Sequence, residues 1–145
     1  MRYRTEVEIP APAAEVWAVV ADVPGWPRWT PTVRSAELLD APALTLGARV
    51  RLRQPRLPVL VWTVDALDPG RSFSWSTGPR VARTTAVHTV HELGPGRCRV
   101  ELVFAQAGLA AVLGAVTAGT TRSFVDAEAA GLARFCAGGV HDADR

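Results

Sequence analysis

His88 is the side chain in this sequence best suited to chemistry, because an imidazole exchanges protons near neutral pH and forms directed hydrogen bonds. It lies in the run Ala86-Val87-His88-Thr89-Val90. If Ala86, His88 and Val90 face inward, a polar ring stands in an apolar wall, and His91 falls on the opposite, solvent side. His88 is therefore a candidate general acid or base; the alternative is a histidine satisfied inside the wall. Large aromatic surfaces accompany it. Trp62, Phe73, Trp75 and Phe104 are candidates either for stacking on a planar ligand or for core packing. Trp26 and Trp29 are expected to border an entrance, as gate or plug. Alternation directs Tyr3, Gln54, Thr77, Thr84, Gln106 and Thr120 inward, where an unpaired polar group costs about 1–3 kcal/mol. Leu52, Val116 and Phe124 complete the candidate lining. Arg122, one step from the 120–124 stripe, is expected to pair with Asp126 four residues on.

Other chemistries lack their residues. There is no nucleophile beside its base, no carboxylate pair, no phosphate loop and no metal-ligand cluster. With no assured acidic partner for His88, a triad cannot be assembled. Cys98 and Cys136 have no metal spacing and read as buried, reduced thiols. No cofactor and no metal are expected. The sixteen cationic residues are all arginine, the formal net charge is only +2, and the arginines are mixed with acids. Arg49, Arg51, Arg53 and Arg56 read as one solvated strand face, so no nucleic-acid partner is expected. The chain opens on a charged, alternating segment and its longest apolar stretch is about ten residues. A bilayer span needs roughly twenty. A cytoplasmic protein without membrane insertion, monomer or homodimer, is the expectation.

The elements that must position these side chains follow from periodicity. Residues 2–9 alternate as a half-buried strand, and Pro10 ends it. Pro12 suits the first turn of a helix that carries Val16, Trp17, Val19 and Val20 to about Asp22. Pro24, Pro27 and Pro31 allow only a short helical turn next. Strands are expected over 33–39, 47–54, 59–67, 71–77, 81–92 and 97–106. Asp68-Pro69-Gly70 and Gly94-Pro95-Gly96 close two hairpins. Leu109, Leu113, Val116, Thr120, Phe124, Ala127, Gly131 and Phe135 then recur at helical spacing, predicting one long helix that Gly138-Gly139 stops. Residues 140–145 are expected to fray. One α+β domain over 1–139 results: a seven-stranded antiparallel sheet, two short helices after the first strand, and a long terminal helix. The sheet's apolar face needs a cover, and only the last helix is long enough. A curved sheet under a straight helix leaves a pocket between them. The small Gly114, Ala118 and Gly119 fit that picture, or merely allow close helix–sheet approach.

Several segments resemble one superfamily in order and spacing. Ile9-Pro10-Ala11-Pro12 with Val16-Trp17, Asp22-Val23 and Trp26-Pro27-Arg28-Trp29 resembles the opening of the SRPBCC, or START-like, superfamily of polyketide cyclase/dehydrase and lipid-transport proteins. Trp62 and the run from Leu67-Asp68-Pro69-Gly70 to Trp75 resemble its central hairpin. His88 falls where related bacterial members often carry a histidine. Thr121-Arg122-Ser123-Phe124, Glu128-Ala129 and Gly131-Leu132 resemble its last helix. The resemblance implies the helix-grip fold and an apolar ligand: a lipid, an isoprenoid or an aromatic polyketide. It does not imply a reaction. The arginine, serine and tyrosine that catalytic aromatase/cyclases place in the cavity have no matching positions in these largely apolar strand faces.

Three functions follow. The first is binding of an apolar small molecule in an internal cavity. The second is a cofactor-independent cyclase, dehydratase or aromatase, with His88 as acid/base. The third is a co-chaperone-like interaction module using an open groove or sheet edge.

Overall fold

The computed structural model describes residues 1–114 and 118–139. Val116, the linkage across the terminal helical region, and the tail at 140–145 lie outside the described residues. Chain order is β1 (Arg2–Ile9), α1 (Ala13–Ala21), a 3₁₀ turn (Val23–Arg28), β2 (Ser35–Leu38) and β3 (Arg49–Arg53). Then come β4 (Leu60–Asp68), β5 (Ser72–Thr77), β6 (Ala82–Gly94) and β7 (Arg97–Gly108). Helices α2 (Leu109–Gly114) and α3 (Ala118–Arg134) follow, and a π-type turn (Phe135–Gly139) closes the described chain.

The seven strands form one sheet in the order β1-β7-β6-β5-β4-β3-β2, and every neighbouring pair is antiparallel. This is the expected helix-grip arrangement. The hairpin at 68–71 forms as its composition requires. Arg71 N–H donates to the Asp68 carbonyl at 3.0 Å, and Gly70 takes φ +84° at no steric cost. The first strand instead pairs with the last, from Arg2 opposite Ala105 to Ile9 opposite Cys98. That pairing depends on contacts about a hundred residues apart, beyond the reach of any turn signal.

The inner face is apolar. Val50, Leu52, Trp62, Val64, Phe73, Trp75, Val90, Cys98, Val100 and Leu102 are all buried there. The outer face is charged and paired: Arg49 meets Asp40 at 2.9 Å, Arg51 meets Glu37 at 3.2 Å, and Arg99 meets Glu6 at 2.9 Å. A bulge between Val64 and Ala66 interrupts the alternation of β4. Asp65 lies on the exposed side, as alternation from Trp62 and Val64 requires, and the Ser74 and Ser76 hydroxyls donate to its carboxylate.

The terminal helix corrects the expected stripe. The buried seam of α3 and its closing turn is Val125, Ala129, Leu132 and Cys136, with Gly131 beside it. Phe124, Ala127 and Phe135 are only half-buried and Thr120 is exposed. Gly131 shows why the seam is rotated. A Cβ there would stand 2.1 Å from the Trp29 carbonyl oxygen, so the helix backbone lies directly on the segment after the 3₁₀ turn. Gly119, by contrast, is exposed with open space around it, so it makes no close approach to the sheet.

Two predictions follow from this packing. Gly131→Ala improves helix propensity by about 1 kcal/mol yet forces a methyl into the Trp29 carbonyl, which costs roughly 1–3 kcal/mol. Net destabilisation in urea unfolding is expected; a more stable variant would refute the close contact. Burial also pushes the Cys136 thiol up to about 12, with the Cys98 and Glu15 charges adding to the rise, and burial raises Cys98 as well. A thiol whose folded value is raised supports folding fully below its unfolded value near 9 and loses that support as pH rises toward 12. Unfolding free energy should therefore fall between pH 9 and 11, and Cys136→Val should flatten the slope.

Candidate functional site

Helix α3 is seated along Val125–Cys136, and space remains between its first turns and the inner sheet face. The cavity there has a volume of about 260 Å³. Trp26, Trp62, Trp75, Phe104 and Phe124 provide its aromatic walls, and Val33, Leu52, Ala86 and Val125 its aliphatic ones. Polar or charged side chains reach it at Gln54, Arg56, His88, Thr120, Thr121 and Glu128.

Trp26 organises the aromatic wall. The proline-rich segment at 23–28 can make only a tight turn, which folds the indole inward rather than across an entrance. Its Nε1–H donates to the Val20 carbonyl at 3.0 Å, satisfying the buried donor. Ring centroids of Trp29, Trp75 and His88 lie 5.3, 5.2 and 5.3 Å from it. Both Trp26 and Trp29 are buried. Trp26 is wall; Trp29 packs behind it and does not line the cavity.

His88 is 5% exposed and faces the cavity from β6. Phe73, its cross-strand partner, stacks on the imidazole at 4.4 Å with the planes 8° apart. Trp75 meets it edge-on at 5.7 Å. The acidic partner that could not be assigned from sequence is Glu128 of α3, whose Oε1 lies 3.3 Å from His88 Nε2. The ring N–H is angled off this oxygen, which accepts no hydrogen bond, so the pair is an electrostatic approach with room for a third group. Nδ1 is buried with no partner among the described residues. An N–H shut away there would lose its hydrogen bond, so the neutral ring carries its proton on Nε2. The side chain thus offers the cavity an Nε2–H donor beside a carboxylate.

The remaining candidates separate cleanly. Leu52, Gln54, Trp62, Trp75, Phe104, Thr120 and Phe124 line the cavity along with Trp26 and His88. Phe73 supports the wall from behind. Thr77 does not line the cavity: the β4–β5 ladder ends at Thr63–Ser76, and the Thr77 hydroxyl is drawn to the free Val61 carbonyl at 2.8 Å. Thr84, opposite Thr77 and Gln106, is half-buried outside the lining. Tyr3 donates to Asp126 Oδ1 at 2.6 Å, which raises the phenol above its ordinary value. Arg122 stands over the Tyr3 ring at 5.6 Å, while Asp126, its expected partner, accepts from the Tyr3 hydroxyl of β1.

Sequence reasoning missed Glu128 and Arg56 as lining residues. Thr120, Phe124 and Glu128 recur every four residues, whereas the expected stripe stepped from Phe124 to Ala127 and so passed Glu128 by. Arg56 was grouped with the outer strand arginines, but β3 ends at Arg53 and Arg56 lies in the following turn. Among the described residues no cluster of His, Cys, Asp and Glu could hold a metal, and no helix is long and apolar enough to cross a membrane.

The family profile described as polyketide cyclase / dehydrase and lipid transport matches residues 1–136. The chain belongs to that family. A Streptomyces halstedii protein named "Putative polyketide cyclase" is 36% identical over 93 residues, covering 62% of this chain and 73% of that one. The Zhui aromatase/cyclase from Streptomyces sp. R1128 superimposes with a TM-score of 0.69 at 21% identity, over 100% of this chain and 96% of that one. A START superfamily protein from Mycobacterium smegmatis gives 0.68 at 14% identity, over 92% and 98%. At these identities the structural likenesses establish the fold, which is the START-like helix grip.

The His88–Glu128 pair makes its own prediction. Truncating either member leaves the other in an apolar wall, so His88→Ala and Glu128→Ala should be non-additive. A double-mutant cycle in urea should give a coupling of about 1 kcal/mol; additive effects would show that the two groups do not interact.

Proposed function

We propose that the protein binds a compact, apolar, ring-containing small molecule in the cavity between α3 and the sheet. The observation that carries this reading is the composition of the walls. Three indoles and two phenyl rings surround the space, and one histidine–carboxylate pair supplies directed polarity. Ligand sites commonly occupy roughly 300–1,000 Å³. A volume of about 260 Å³ suits two or three fused rings better than a long acyl chain. Membership in a family that includes lipid-transport and cyclase proteins supports an apolar ligand.

A second reading is favoured by the pair itself. A bound ketone whose oxygen accepts from His88 Nε2–H would present an α-carbon to the neighbouring carboxylate. Glu128 would take the α-proton, the C–H electron pair would move into the carbonyl, and His88 would hold the resulting enolate oxygen. Enolisation of this kind precedes carbon–carbon closure in cyclases and needs no cofactor. The S. halstedii relative's name agrees with this direction.

Binding is tested with 1,8-dihydroxyanthraquinone, a planar neutral probe. Saturable quenching of tryptophan emission is expected, and Phe124→Trp, which fills the cavity, should weaken it by roughly tenfold or more. Absence of saturable quenching, or unchanged affinity in the filled variant, would overturn the binding reading. Catalysis is tested by hydrogen–deuterium exchange at the acidic carbon of 2-tetralone. The protein should accelerate exchange, and His88→Ala and Glu128→Gln should each lose roughly tenfold or more of that acceleration. Equal rates in all three proteins would leave a binder without acid/base function.

A further inference from the structure

Arg56 differs from every other arginine described. It is the only one that lines the cavity among the described residues. It also has the only positive φ among the described non-glycine residues, at 64°. The cause is local. Gln54, Pro55, Arg56 and Leu57 form a turn in which Leu57 N–H donates to the Gln54 carbonyl at 3.3 Å, with Pro55 in the second position and Arg56 in the third. A turn whose third residue has positive φ favours glycine or asparagine there, because in that conformation a Cβ crowds the neighbouring carbonyl oxygen. A long cationic side chain is kept where glycine would serve the chain better, and strain of that kind is characteristic of sites where a side chain is needed in one place.

The charge is also unspent. Arg49 and Arg51 in the preceding strand are paired with Asp40 and Glu37, whereas Arg56 has no carboxylate partner among the described residues. The other charged wall residue, Glu128, lies beside His88, its Oε1 3.3 Å from Nε2. Two strands, β4 and β5, separate β3 from β6 in the sheet. Arg56 and His88 nonetheless line the same cavity, Arg56 from the turn after β3 and His88 from β6.

We infer that Arg56 is a specificity-determining cation: the ligand is an aromatic acid whose ring system fills the cavity and whose carboxylate pairs with the Arg56 guanidinium at the mouth. This deepens the binding reading above and rests on it. A planar guanidinium recognises a carboxylate through two parallel N–H donors, and the exposed Arg56 presents them at the edge of the cavity it lines. Neutral ligands of the same shape would lose only this contact. Ligands with a cationic tail would be excluded.

The experiment compares 6-hydroxy-2-naphthoate with 6-hydroxy-2-naphthamide, equal in shape and differing in charge, by titration of tryptophan emission. The native protein should bind the carboxylate on the order of tenfold more tightly than the amide at low salt, with the preference shrinking as ionic strength rises. Arg56→Gln should abolish the preference by weakening carboxylate binding alone. Arg56→Gly, which suits the turn's backbone and so preserves the fold, should do the same. Equal affinity for the two probes in the native protein, or a preference that survives both substitutions, would overturn the role of Arg56 while leaving the cavity reading intact. Binding of neither probe would overturn the cavity reading and this inference together.

Discussion

The close seat of α3 on the chain that follows the 3₁₀ turn is the constraint on which the rest of the molecule depends. Gly131 allows two backbones to meet at the Trp29 carbonyl, and Val125, Ala129, Leu132 and Cys136 bury the seam around that point. A straight helix anchored so firmly at its C-terminal half cannot also follow a twisted, curved sheet at its N-terminal half. Space opens under Thr120 and Phe124, and the cavity is the geometric remainder of the anchor. The same contact sets the rotation of the helix. With Val125 and Ala129 turned into the seam, Glu128 is turned toward β6 and His88.

Local satisfaction of polar groups explains which side chains serve the site and which do not. Trp26 can be a wall because Val20 accepts its indole hydrogen. Thr77 is lost to the backbone carbonyl of Val61, and Asp126 to the Tyr3 hydroxyl. His88 keeps one nitrogen unpaired and the other only loosely approached by Glu128. Stacked against Phe73 and bordered by Trp26 and Trp75, the ring has little freedom to turn. Rigid support behind a polar group that still lacks a full partner is the arrangement expected of a group reserved for a ligand.

Strand β4 and the turn after β3 place opposite charges in different surroundings. Asp65 stands on the exposed face, where two serine hydroxyls donate to its carboxylate. At the turn, Arg56 is placed at the cavity with no carboxylate partner among the described residues. Asp65 follows the two-residue period of its strand, whereas Arg56 escapes that period because it lies in the turn beyond the end of β3.

How much of this was legible beforehand can be stated residue by residue. The strand at 2–9, the hairpin at Asp68-Pro69-Gly70, the inward Leu52, Trp62, Trp75 and His88, and the outward Arg49 and Arg51 follow from alternation and turn chemistry. Those rules act between near neighbours, so the chain alone determines them. The family resemblance extended them to a helix grip. Tertiary structure alone decided the pairing of β1 with β7, the rotation of α3, and hence the meeting of His88 with Glu128. It also decided that Trp29, Thr77 and Thr84 stay out of the cavity and that Arg56 enters it. Each of these turns on a contact between segments distant in sequence, or on a one-residue slip in register. Periodicity carries no record of either, because a shift of one residue leaves composition unchanged while sending every later side chain to the other face.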